Sequence, residues 1–151
     1  MTDIHIDDFY KDAAKILLHL YVTFPKPTQI YVEDIAGADN PDEFGLHSDR
    51  HSACFSTMLW LAQSGYIQYI DTIRHEALDQ AVLTQKAFLL LTAYSELAEN
   101  HPKVKETNPP SVKEEFSSNI HQLRLAIKSG SSVQIRKIVQ YLLRSAIHSG
   151  A

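Results

Sequence analysis

The stretch LHSDRHSACFSTMLWLAQSGYI, from Leu46 to Ile67, restricts the fold more than any other part of the chain. Ser48 is a residue type that caps a helix N-terminus, and Gly65 is the type that closes one in the left-handed conformation. Between them Cys54, Met58, Leu61 and Ala62 fall within a narrow arc at 100° per residue, which predicts a helix from Asp49 to Ser64 with one face on a core. Directly after Gly65 the pattern changes to the alternation YIQYID, which predicts a strand. TIRHEAL is polar and reads as a hairpin tip, and DQAVLT can pair back antiparallel.

The flanking segments supply the layers on which that unit must pack. Phe9, Ala13, Ile16, Leu17 and Leu20 recur at steps of three and four, predicting a helix over about Asp8 to Thr23, with Asp7 and Asp8 at its favourable negative end. FPKP (Phe24 to Pro27) ends it, because a residue before proline is pushed out of the α region. Thr28 to Tyr31 reads as a short strand and Val32 to Ala36 as a short helix closed by Gly37; ADNPDEFGLHS is a turn-rich loop. Thr84 can cap a further helix running to about Asn100, with Phe88, Leu91, Tyr94 and Ala98 on its inner side.

This order of helix, short strand, helix, helix, strand, tip, strand, helix resembles the winged helix-turn-helix superfamily, as in bacterial multiple-antibiotic-resistance and phenolic-acid regulators. The resemblance covers about Asp8 to Asn100. It rests on LAQSGYI, similar to a helix end running through Gly into a strand, and on VLTQKAFLLL, similar to a strand running through Thr into a helix. It departs from the pattern between Gly37 and Ser48, where about eleven residues replace the three- or four-residue turn of a strict helix-turn-helix. The resemblance implies that Asp49 to Ser64 stands in the place of a recognition helix, which enters the major groove, and that Thr72 to Leu78 is the wing tip.

The residue types at those positions do not suit an unaided DNA reader. Away from the core arc lie Asp49, Ser52, Ser56 and Gln63, flanked by Leu59 and Trp60, with no Lys or Arg among them; Arg50, at the helix start, falls nearer the core arc. Ser and Gln can bond base edges or phosphates, but phosphate neutralisation by cations supplies most non-specific affinity. The wing offers Arg74 and His75 beside Asp71, Glu76 and Asp79, and Lys86 is the remaining nearby cation. Apolar and aromatic groups with few charges are what protein interfaces bury, although aromatics at helical spacing are as often core.

The C-terminal third carries two further helices. HPKVKETNPPS, His101 to Ser111, reads as a linker. Ser111 with Glu114, and Ser131 with Gln134, match the capping box, predicting helices over about Val112 to Lys128 and Ser132 to His148 joined at SGSS. Val112, Phe116, Ile120, Leu123 and Ile127 form one stripe; Ile135, Ile138, Val139, Leu142, Leu143 and Ala146 form the other. Such a hairpin cannot bury both stripes alone, so it docks on the front domain or on a second copy. The resemblance makes a homodimer through these helices the expected form of self-association. Residues 1–100 carry six Lys+Arg against fifteen Asp+Glu, a net −9, and residues 101–151 carry eight against three, a net +5. Lys128, Arg136, Lys137 and Arg144 can therefore complement the acidic front.

Nothing in the sequence announces catalysis or a cofactor. The five glycines are scattered, so there is no phosphate-cradling loop. HSDRHS lacks a strand-to-helix elbow that would present a nucleophile. Asp3, Asp7, Asp8 and Asp12 lack calcium-loop spacing. His47, His51 and Cys54 make an H-x3-H-x2-C spacing, a pattern that could hold a transition metal. Cys54, however, falls on the core arc and His47 in the loop, so the expectation is no metal. A single cysteine, no spanning apolar run and an acidic N-terminus unlike a secretory signal predict a cytoplasmic protein without membrane contact.

The expected fold is thus mainly α with a small antiparallel β wing (α+β): a winged-helix domain over residues 1–100, a linker over 101–111 and a C-terminal helical hairpin over 112–149. The expected function is non-enzymatic, regulation or assembly through contacts with a protein partner or a second copy. The alternative is a homodimeric DNA-binding transcriptional regulator.

Overall fold

The computed structural model describes residues 3–98 and 118–149. In chain order they form α1 (Ile4–Thr23), β1 (Thr28–Tyr31), α2 (Val32–Ala36), α3 (Asp49–Gln63), β2 (Ile67–Gln68), β3 (Asp71–Ile73), β4 (Ala77–Leu83), α4 (Gln85–Thr92), a 3-10 turn (Glu96–Ala98), α5 (Asn119–Ser129) and α6 (Ser132–Ser149). The fold is mainly α with a small antiparallel sheet, and its front part follows the expected order of elements. Among the described residues no helix is long and apolar enough to cross a membrane.

The first helix packs against α3 and also against α5 and α6. That double contact explains why more than one stripe is buried: Ala13, Ile16, Leu17 and Leu20 as expected, and Ala14 and Asp12 besides, while Phe9 is half-buried. The helix begins at Ile4, a turn earlier than Asp8, because the Asp3 carbonyl accepts hydrogen bonds from the Ile6 and Asp7 amides. Ile4 and Ile6 are exposed, so no apolar stripe announces the extra turn.

In the sheet β4 is central, with β1 on one side and β2 and β3 on the other. Against β1 the register moves from Ile30↔Leu78 to Thr28↔Ala81, so β4 carries one extra residue, and Gln80 takes a left-handed φ of 54° there. This is a β-bulge, and it bends the strand over the helices. On the other side the strand expected over YIQYID is divided at Tyr69 and Ile70 into β2 and β3, both paired with β4. The wing tip is also tighter than Thr72 to Leu78. It is a two-residue turn in which Arg74 and His75 have φ of 48° and 59°, closed by the Glu76 amide on the Ile73 carbonyl at 2.7 Å. Two successive left-handed residues give the turn type that suits hairpin twist.

The Thr84 hydroxyl accepts from the Ala87 amide and starts α4 as expected, but the helix stops at Thr92 rather than near Asn100. The start of α5 is the reason. Asn119 donates from its side chain to the Leu90 carbonyl at 2.8 Å and from its backbone to the Ala93 carbonyl at 2.9 Å, taking up carbonyls where the helix ends. Leu91 is buried and Phe88 stacks on Phe24, whereas Tyr94 is exposed and bridges to Ser118 instead of facing inward.

Ser118 caps α5, its hydroxyl accepting from the His121 amide at 3.3 Å, and this helix runs from Asn119. The linker, the Ser111 and Glu114 pair, Val112 and Phe116 lie outside the described residues. Ser131 accepts from the Gln134 amide at 3.3 Å, the serine half of the second capping box, while the Ser131 amide donates to Ser129 Oγ at 3.1 Å where the box would have the Gln134 side chain. Ile120, Leu123, Ala126, Ile135, Ile138, Val139, Leu142 and Ala146 belong to the same buried cluster as Ile16, Leu20, Met58 and Leu91. The hairpin therefore docks within its own chain, on α1 and α4. One of its basic residues meets the acidic front, with Arg136 4.0 Å from Asp7.

Candidate functional site around the third helix

Ser48 has extended backbone, and its hydroxyl accepts from the His51 amide at 3.2 Å, starting α3 where expected. Cys54, Met58 and Leu61 are fully buried, and Phe55, Thr57 and His51 are buried beside them because α2 covers a second side of the helix. Asp49, Ser52, Ser56, Trp60 and Gln63 are exposed, as the periodicity predicts. Leu59 is half-buried and packs against the core. Trp60 is 40% exposed; its ring stands edge-on to Phe9 at 5.2 Å and lines a groove with Tyr66, Leu143 and Ile147.

Arg50 is not part of the exposed face. Its guanidinium makes a two-pronged pair with Asp12, Nη1 to Oδ2 at 2.7 Å and Nη2 to Oδ1 at 2.5 Å, and Nε lies 3.8 Å from Asp8. The Asp12 side chain is 1% exposed. Hydrogen bonding to this carboxylate raises the Arg50 pKa further still. Lys86 is also engaged, donating to the Ser64 carbonyl at 3.1 Å and standing 4.4 Å above the Tyr66 ring. Among the described residues, Arg74 at the wing tip is the one of the three cations near the helix and wing that faces solvent without such a contact.

The long loop before α3 is folded around two carboxylates. Asp42 Oδ1 accepts from the Phe44 and Leu46 amides, each at 2.9 Å, while the Asp42 amide donates to the Leu46 carbonyl at 3.0 Å. Gly45, at φ 77°, makes this tight reversal. The turn holds Phe44 and Leu46 outward, 80% and 64% exposed.

Asp39 closes the other end of the loop. Its Oδ2 lies 2.8 Å from His47 Nδ1, and it accepts from the Ser48 amide. Hydrogen bonds from Ser48 and His47, against the opposing effect of burial, hold its carboxyl down at about 2. His47 stacks on His51 with ring centroids 3.8 Å apart and planes 8° from parallel. His51 is 3% exposed, and its Nε2 lies 3.0 Å from the His75 carbonyl in the wing. One atom each from Asp39, His47 and His51 gather within 4.8 Å of one another.

The wing residues Arg74 and His75 are thus tied through the backbone to the start of α3, while both side chains remain exposed. The histidine spacing in the sequence marks two members of the cluster and misassigns the third. Cys54 lies in the core, where burial, followed by the charge of Asp12, pushes its thiol up to about 12 and keeps it neutral. Asp39 takes the third place. Its only trace in the sequence is an acidic residue eight positions before His47 in a turn-rich loop, and no periodicity relates the two. Comparison of the chain with protein-family models, with curated proteins and with solved structures finds no match.

Proposed function

We propose that this protein is a non-enzymatic winged-helix module of the cytoplasm, regulating or assembling through protein contact at the surface around α3. The observation that carries this reading is the make-up of that surface. Phe44 and Leu46 are exposed in the loop that leads into α3 and Trp60 is exposed towards the other end of that helix, Asp42, Glu43, Asp49 and Glu76 supply carboxylates on the loop, the helix start and the wing, and Arg50 and Lys86 are committed elsewhere. Exposed aromatic and aliphatic groups interspersed with carboxylates suit a partner that offers apolar groups flanked by Lys and Arg. A second copy of the chain can fill that role through its basic C-terminal hairpin. Among the described residues most of the apolar stripes of that hairpin are already buried, so such a contact would use its outer, charged face.

DNA binding as a homodimeric regulator is the second reading, and Arg74 at the wing tip favours it. One such cation at the wing tip neutralises few phosphates, and each phosphate contact contributes separately to affinity. Protein contact is tested by placing a photo-crosslinking residue at Ser56 in the full chain in cells. The expected result is a discrete adduct with one protein, lost on Phe44→Ser while circular dichroism stays native. Adducts that ignore Phe44→Ser would argue against the patch.

A further inference from the structure

We propose that Asp39, His47 and His51 form a binding site for a divalent first-row transition metal ion of the zinc type, joining the loop, the start of α3 and the wing. The inference goes beyond the protein-contact reading and does not depend on it. Two imidazoles and a carboxylate are a donor set that zinc, cobalt and nickel accept, whereas magnesium and calcium prefer oxygen alone.

The independent observation is the state of His51. Its Nε2 faces the His75 carbonyl, which can only accept, so Nε2 carries the hydrogen. In the neutral ring Nδ1 is then a bare lone pair, and it is buried without a hydrogen-bond partner. The nearest counter-group is Asp39 Oδ2 at 3.6 Å, too far for a hydrogen bond. Two desolvated electron-rich atoms facing each other are unfavourable unless a proton on Nδ1 or a metal ion lies between them, and the metal ion is the occupant proposed here. With ligand bonds of about 2.0–2.1 Å, two donors of a tetrahedral zinc centre stand roughly 3.3 Å apart, close to the separation seen.

As the rings stand, His47 is stacked on His51 with planes 8° from parallel, so His47 must turn out of the stack for both ring lone pairs to reach one ion; the other surroundings agree with the assignment. A histidine that ligates a metal usually donates its other N–H to a carbonyl or carboxylate, fixing the tautomer, as the His75 carbonyl does here. His47 Nδ1 donates to the same Asp39 oxygen at 2.8 Å, so an ion entering between them displaces that proton to solvent. Three protein donors leave a fourth position for water or for a donor from a partner. Because Asp39 and His47 belong to the loop that carries Phe44, and His51 holds the wing, occupancy would fix both edges of the α3 surface at once.

The test uses the full chain, stripped of metal and titrated with Zn2+ by calorimetry and with Co2+ by absorption, alongside Asp39→Asn and His47→Gln. One ion per chain is expected, with a cobalt spectrum of nitrogen and oxygen ligation lacking thiolate charge transfer. Affinity should fall by at least about tenfold in each variant, the range known for losing even supporting contacts. Nuclear magnetic resonance of the wild type should show the His47 and His51 rings responding to Zn2+, which decides the matter even if a variant does not fold. No binding by the wild type, binding that ignores both substitutions, or a His51 Nδ1 protonated at neutral pH and unmoved by zinc would overturn the proposal.

Discussion

Replacing Arg50 by alanine is expected to destabilise the protein by about 3 kcal/mol, the lower end of the range for breaking a buried ion pair. Asp12 is 1% exposed, so removing its partner leaves a desolvated carboxylate between α1 and α3. Arg50 itself is 36% exposed, and water entering the space it vacates is why the lower end applies. In a chain of this size the loss corresponds to roughly 10 °C in melting temperature. Asp12→Leu combined with Arg50→Met should recover most of it, because a packed apolar pair removes both charges together. A loss below about 0.5 kcal/mol in thermal or urea unfolding would place the pair among solvated surface bridges and return Arg50 to the set of cations available for other work.

Leu142→Ala should cost about 3 kcal/mol and lower a single cooperative transition. Leu142 is 1% exposed in α6, within the cluster shared by α1, α3 and α4. The result separates two roles for the hairpin. As part of the common core it stabilises the chain at any concentration. As a dimerisation arm its truncation would leave the fold of the front part unchanged and instead make association fail, visible as a shift in sedimentation at unaltered melting temperature.

Local chemistry made several elements legible from the residues alone. Ser48, Gly65, Thr84 and Gly37 act through their own backbones and neighbours, so the starts of α3 and α4 and the limits of α2 follow from the sequence. Periodicity likewise identified Asp49, Ser52, Ser56 and Gln63 as exposed and Cys54, Met58 and Leu61 as core. What escaped depends on contacts between distant residues. The α4 terminus is set by Asn119, and the fate of Arg50 by a carboxylate 38 positions earlier. Asp39 is brought to His51 by the fold of a loop that has no repeating pattern, and that same loop turns Phe44 and Leu46 outward against their ordinary preference for burial.

The most direct test of the protein-contact reading is fluorescence anisotropy of labelled random duplex DNA with the purified protein, first at low and then at moderate salt. A chain whose α3 face lacks cations, with Arg50 paired to Asp12 and Lys86 held at Ser64, should give no salt-sensitive rise at micromolar protein. Binding that falls steeply with salt and weakens on Arg74→Ala would contradict that account and make the wing and α3 a DNA-reading surface.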